Sequence, residues 1–193
     1  MADPNHFTPA PGPYTVYRDV LGVPGLFVLA NVFTEEGERD LFQSMGPLPE
    51  ARLDKSQREA RTGDFGSHDP QTFPPSFFMA LNVVCDTQVF KGYTPPDYNV
   101  SYAYPPGSSF MSHFDSRYQW GETVVGVSLG APSEMTFSYA VDKKRMPAVP
   151  IPHKHVWLPR GSIYIMSGLS RFEWKHGVFM VGKRGEWGEP LLG

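Results

Sequence analysis

The sequence predicts a mainly β (α+β) domain, an all-β sandwich or barrel with two N-terminal helices packed on the outer face of its sheet. Three observations carry that expectation. From Asn99 onward, short apolar or alternating runs recur, separated by Gly, Pro or charged turns. The chain holds 20 Pro and 19 Gly among 193 residues, a composition that favours turns and short strands over long helices. Both helical patterns lie ahead of the strand-rich half.

In chain order, residues 1–13 are rich in Pro and polar side chains and read as a flexible N-terminal segment. Residues 14–193 read as a single domain, long enough to bury a core without staples. Tyr14–Arg18 is a short strand and Gly25–Leu29 a better one. Thr34 caps a helix whose first turn carries Glu35, Glu36 and Glu38, where the helix dipole favours negative charge. That helix runs to about Met45 and stops at Gly46-Pro47, with Leu41, Phe42 and Met45 on one side. Leu48–Phe73 is polar and reads as loop with at most a short strand. Its Arg52, Lys55, Arg58 and Arg61 could line a substrate surface, although a solvated loop is the plainer reading. After Pro74-Pro75, Ser76 caps a second helix ending by Gly92, with Phe77, Phe78, Leu81, Val84, Cys85 and Val89 as its apolar face. The strands follow at Asn99–Tyr104, Phe110–Asp115, Thr123–Leu129, Met135–Tyr139, His155–Leu158, Ser162–Met166 and Phe172–Val181.

Composition narrows the function classes. A net charge of -3 argues against a strongly basic nucleic-acid-binding surface, though Arg117 with the arginines and lysine above could form a local patch. The single Cys85 cannot form an internal disulfide or a zinc-binding cysteine pair. There is no charged-then-apolar leader and no long apolar run, which reads as an intracellular monomer of cytoplasm or nucleus with no membrane partner.

The chemistry concentrates in Tyr102–Gly130. If Met111–Asp115 is extended, His113 and Asp115 share a face while Phe114 packs the other way. An imidazole beside a carboxylate is two thirds of the 2-His-1-carboxylate triad that holds Fe(II) and leaves positions open. His-x-Asp alone is a weak signal. The third ligand is His176 in Arg171–Val178: on an extended strand it shares a face with Phe172 and Trp174, where a histidine is either hydrogen-bonded in the core or a ligand. The upstream His-x-Asp favours the ligand reading. His153 and His155 form the competing pair, read as a turn entering a strand with no carboxylate near in sequence. His6 and His68 sit in polar loops. Tyr102 and Tyr104 share a face ahead of the Pro105-Pro106-Gly107 turn and serve either as pocket walls or as core aromatics. Trp120 either stacks on a substrate or covers the end of the sheet.

Taken in order, these stretches resemble the AlkB family of Fe(II)- and 2-oxoglutarate-dependent dioxygenases. The matching pieces are Tyr-Pro-Pro-Gly at 104–107, His-Phe-Asp at 113–115, Val-Ser-Leu-Gly at 127–130, Met-Thr-Phe at 135–137, Leu-Pro-Arg-Gly-Ser at 158–162 and Ser-Arg-Phe-Glu-Trp-Lys-His-Gly-Val at 170–178. Trp-Gly-Glu at 120–122 and the Arg-x-x-Trp-Lys-His run look closest to the eukaryotic fourth AlkB homologue, and the eighth carries a similar distal run. The resemblance implies a double-stranded β-helix (a cupin-like jelly roll) with His113, Asp115 and His176 on iron and serving catalysis. It implies 2-oxoglutarate as co-substrate, held by Tyr104, with Tyr102 at a position often occupied by Asn.

The implied activity is oxidative demethylation, hydroxylation of an N-methyl group with release of formaldehyde, on a methylated nucleic-acid base or a methylated protein side chain. One feature departs from the family pattern. The family pairs the far carboxylate of 2-oxoglutarate with an Arg on a closing strand, and here Arg184 is the only Arg after His176. It is the candidate replacement, together with Lys183, although Lys183-Arg184-Gly185 also reads as an ordinary charged turn. The expectation is therefore a dioxygenase domain that could be short of its last strand. The alternative is a non-catalytic metal- or partner-binding domain on the same fold.

Overall fold

The structure, a computed structural model, describes residues 13–44, 52–53, 60–63, 71, 75–86, 98, 100, 102–104, 109–118, 120–140 and 152–179. Strands β1 (Thr15–Arg18) and β2 (Leu26–Ala30) form an antiparallel pair joined by a 3-10 turn at Val20–Gly22. Helix α1 (Glu35–Ser44) follows. As the sequence implies, Thr34 caps it: Oγ1 accepts the N–H of Gly37 at 3.1 Å. The 52–63 stretch, expected to be loop with a short strand at most, supplies two short strands, β3 (Arg52–Leu53) and β4 (Ala60–Gly63). Helix α2 is Pro75–Asp86, so Ser76 lies inside its first turn rather than ahead of it.

The remaining strands are β5 (Tyr102–Ala103), β6 (Phe110–His113), β7 (Thr123–Ser128), β8 (Ser133–Tyr139), β9 (His153–Leu158), β10 (Ser162–Ser167) and β11 (Trp174–Phe179). A short helix, α3 (Leu169–Phe172), precedes β11. Three expectations change here. β6 ends at His113 instead of reaching Asp115. Phe172 belongs to α3 rather than to the last strand, because Phe172 N–H bonds back to Gly168 at 3.0 Å and Glu173 N–H to Leu169 at 2.8 Å. His153 lies on β9, not in a turn, since β8 pairs with β9 from Ser133↔Leu158 to Ser138↔His153.

Two four-stranded antiparallel sheets make a jelly-roll-like sandwich: β1-β2-β10-β7 and β6-β11-β8-β9, with a small β3-β4-β5 sheet beside them. Leu26, Val28 and Met166 of the first sheet meet Met135, Phe137, Val156, Leu158 and Trp174 of the second, and these side chains form the inter-sheet core. The alternate residues Leu29, Ile163 and Ile165 point outward and are covered by Leu41 of α1 and Ala80, Val83 and Val84 of α2. The helices therefore pack on the outer face, as predicted. A sheet covered on both faces also explains why β2 and β10 read as unbroken apolar runs rather than alternating ones.

The buried stripes of the helices keep Leu41 and Val84, as read in sequence, but not every aromatic expected there. Phe78 and Phe42 are exposed large apolar residues, while small Ala80 and the two valines let α2 approach the sheet closely. The Phe77 and Cys85 side chains, Met45 and Val89 lie outside the described residues. Among the described residues, no helix is long and apolar enough to cross a membrane.

Candidate metal centre

The site is built where β6 meets β11. His176 is the direct antiparallel partner of His113, and Val178 partners Phe110. Between these pairs the single Gly177 of β11 thus faces two residues of β6, which is a β-bulge at Met111–Ser112. Side chains three apart on a regular strand point to opposite faces. The bulge absorbs the extra residue and turns both Phe110 and His113 to one side, and their rings stand 4.3 Å apart. The room for it comes from Gly177. A Cβ there would lie 2.6 Å from the Phe110 carbonyl oxygen, 3.0 Å from Ser112 N and 3.1 Å from Met111 C. Phe137, opposite His176 on β8, forms the floor, its ring 6.3 Å from the imidazole.

Asp115 sits just past the end of β6 and still reaches both imidazoles. Its Oδ1 is 3.5 Å from His113 Nε2 and its Oδ2 is 3.6 Å from His176 Nε2, while the two rings are 4.5 Å apart. One ligand atom from each residue lies within 4.8 Å of the others, and no other such group of three occurs among the described residues. The triad expected from sequence therefore converges, although not by the uninterrupted strand that was expected. The Nδ1 of His113 donates to the Met111 carbonyl at 2.8 Å. A carbonyl only accepts, so the proton resides on Nδ1 and the Nε2 lone pair faces the centre.

Electrostatics fit a cation. His176 is 7 % exposed and burial pushes its pKa down to about 4, only partly countered by Asp115, with His113 and Arg171 lowering it further. At physiological pH it is neutral, the form in which an imidazole can bind a metal. Burial alone would raise Asp115, but the hydrogen bond with His113 and the electrostatic pull of His176, His113 and Arg171 leave it below its usual value. Its Oδ2 is buried with no hydrogen-bond partner among the described residues. A buried, ionised oxygen beside neutral nitrogen is costly unless a cation occupies the space between. Two imidazoles and one carboxylate on one side of that space are the donor set of a non-haem iron centre with open positions.

The residues around the centre fall into three groups. Tyr102 is exposed and Tyr104 half-buried, with rings 6.5 Å apart. Tyr164 of β10 was missed in the sequence. It is cross-strand partner of Gly126 on β7, and a Cβ on Gly126 would meet its ring at 2.1–2.4 Å. Burial raises its phenol well above the usual range, and the charges of Tyr104, Asp115 and Tyr102 add to that. The lone Gly inside an otherwise branched β7 was the available signal, since such a Gly marks a close approach. Arg171, 1 % exposed, was also overlooked as a participant. It donates to the carbonyls of Asp115 and Ser116, each at 3.1 Å.

Other candidates resolve differently. His155 contacts Glu134 across β8 and β9 through Nδ1, so the carboxylate absent in sequence is present in space. Trp120 packs edge-on against Tyr98 at 4.6 Å. Arg117 is exposed and donates to the Phe172 carbonyl. Arg184, Lys183, His6, His68, Lys55 and Arg58 lie outside the described residues, as do the side chains of Arg52 and Arg61.

Residues 28–187 match the 2OG-Fe(II) oxygenase superfamily. The chain belongs to that superfamily. Within it the protein is AlkB-like, and its cofactors are Fe(II) and, as co-substrate, 2-oxoglutarate. It is 28% identical over 172 residues to the Macaca fascicularis tRNA (carboxymethyluridine(34)-5-O)-methyltransferase ALKBH8, covering 80% of this chain and 24% of that protein. It is 27% identical over 177 residues to a Caenorhabditis elegans DNA N6-methyl adenine demethylase, covering 84% of this chain and 57% of the relative. The chain thus spans 24% of the length of the first curated relative it matches. The solved structure of OsALKBH1 superposes with a TM-score of 0.54 at 15% identity over 88% of both chains, a likeness of fold.

Proposed function

We propose that this AlkB-like oxygenase domain carries out oxidative demethylation of an N-methyl group, on a nucleic-acid base or a protein side chain. The observation that carries the reading is the buried, unpartnered Oδ2 of Asp115 held between two imidazoles. His113 Nε2, His176 Nε2 and Asp115 are the residues that would hold Fe(II). Bound together, Fe(II) and 2-oxoglutarate supply, with oxygen, the oxidising power to hydroxylate a methyl C–H bond while 2-oxoglutarate becomes succinate and carbon dioxide. The hydroxymethyl product collapses to formaldehyde and the free amine.

The chain's own side chains provide the rest. Met111 keeps the Nδ1 proton of His113 away from the centre. Phe110 and Phe137 set apolar rings against the two imidazoles. Tyr104, with Tyr102 beside it, is the residue proposed to donate to a carboxylate of 2-oxoglutarate, and Arg184 the one proposed for its far end. The relatives' printed activities, one on tRNA and one on DNA adenine, favour a base over a protein side chain.

The test is succinate and formaldehyde release with Fe(II) and 2-oxoglutarate, using N6-methyladenine oligonucleotides, methylated tRNA and methyl-lysine peptides in parallel. Formaldehyde from one of these, lost on Asp115→Ala, supports the reading. Metal binding without succinate on any of them would support a non-catalytic domain instead.

A further inference from the structure

His113 and His176 are held by the ladder between β6 and β11, but Asp115 is not. β6 ends at His113, so Asp115 and Ser116 lie beyond the last strand pairing. Something else must fix the carboxylate. We propose that Arg171 is a positioning residue for Asp115: its guanidinium forks onto the Asp115 and Ser116 carbonyls and takes over where the ladder stops.

Four observations support this. Burying a guanidinium is expensive, and Arg171 is 1 % exposed, so its place must be repaid by fixed contacts. Its two terminal nitrogens go to successive carbonyls, each at 3.1 Å, which is the planar fork that Arg has and Lys lacks. A reciprocal bond locks the same loop: Arg117 donates back to the Phe172 carbonyl at 2.5 Å, with its guanidinium 5.4 Å from the Phe172 ring. Finally, Ser170 anchors α3 itself, accepting Ser167 N–H at 3.0 Å and donating to the Ser167 carbonyl at 2.9 Å. Arg171 of α3 and His176 of β11 thus lie on one continuous segment, so the stretch that carries one imidazole also sets the carboxylate opposite it.

The inference rests on the metal reading of His113, Asp115 and His176, and the experiment separates the two. Mn(II) alone is titrated calorimetrically into wild type, Arg171→Gln, Arg171→Lys, Asp115→Asn and the Arg171→Gln/Asp115→Asn pair, with thermal melts alongside. Arg171→Gln is expected to weaken Mn(II) binding about 10- to 100-fold, the usual reach of an outer partner of a metal site. Arg171→Lys recovers part of that. The loss vanishes in the Asp115→Asn background, because Arg171 acts through Asp115. An equal loss with and without Asp115, or no loss in the folded single variant, overturns the proposal. Unchanged Mn(II) binding in Asp115→Asn overturns the metal reading itself. Should Arg171→Gln fail to fold, the exposed Arg117→Gln takes its place in the same cycle, with about a 3-fold loss expected. Additivity with Asp115→Asn there is equally fatal.

Discussion

Gly177 lies directly against the β6 bulge, so close that a Cβ on it would stand 2.6 Å from the carbonyl oxygen of Phe110. That contact links the residue after one imidazole to the backbone that aims the other. Gly177→Ala would have to push β11 off β6. We expect a destabilisation of about 1–3 kcal/mol, the usual cost of overpacking. Mn(II) affinity falls with it, because His113 turns away. Urea unfolding and a metal titration on the same preparation check both; a stable variant with native affinity would mean that the bulge does not aim His113.

Asp115→Asn keeps the shape and removes the charge. The metal then loses its one anionic ligand, so affinity for Mn(II) or Fe(II) is expected to drop by more than about 100-fold, beyond the range of outer partners. Succinate formation stops while the fold persists. Circular dichroism and coupled 2-oxoglutarate turnover measure these separately.

The metal-free protein is expected to lose stability in mild acid. The pKa of His176 falls from 6.5 to about 4 on folding. Between those values the unfolded chain binds more protons than the native one, so stability rises with pH across that window and is lost as pH falls through it. The contribution is about 3 kcal/mol when complete. Asp115, also held below its usual value, adds a loss in the same direction at still lower pH. His176→Gln removes the His176 part of this slope. Chemical denaturation from pH 7 to 4, with and without the substitution, reads it directly.

Glu38 ties the first helix to two turns of the sandwich. Buried at 2 % exposure, it accepts the Gly130 N–H at 2.6 Å and both Nε and a terminal nitrogen of Arg160, at 2.6 and 2.5 Å. Glu38→Ala leaves the Gly130 donor without its carboxylate. Because Arg160 is half-exposed and can turn to water, we expect a loss of about 2 kcal/mol rather than the larger cost of a fully buried pair. A shift of the urea midpoint at constant slope would show it.

Gly126 accommodates the Tyr164 ring. Gly126→Ala is expected to destabilise by about 1–3 kcal/mol in the wild-type background and by much less with Tyr164→Ala, where the ring is gone. A thermodynamic cycle on the four proteins tests that coupling. Equal losses in the two backgrounds would mean the ring does not lie across β7.

Much of this protein was legible in its sequence because local chemistry and local period carry the information. Residue composition and strand spacing determined the fold class, Thr34 and its acidic first turn determined α1, and His113-x-Asp115 with His176 determined the donor set. The pairing of strands far apart in sequence decided the rest. It turned His113 inward through a bulge that no single-strand period reveals, and it ended β6 before Asp115. It moved Phe172 into a helical turn, gave His155 a carboxylate partner from the neighbouring strand, and laid Tyr164 across Gly126. The two arginines show the difference most plainly. Arg117 and Arg171 read as a surface charge and a motif letter. Only the meeting of the loop after β6 with α3 gives them their partners, Arg171 the carbonyls of Asp115 and Ser116 and Arg117 that of Phe172, because a guanidinium takes its partners from whatever backbone the fold brings within reach.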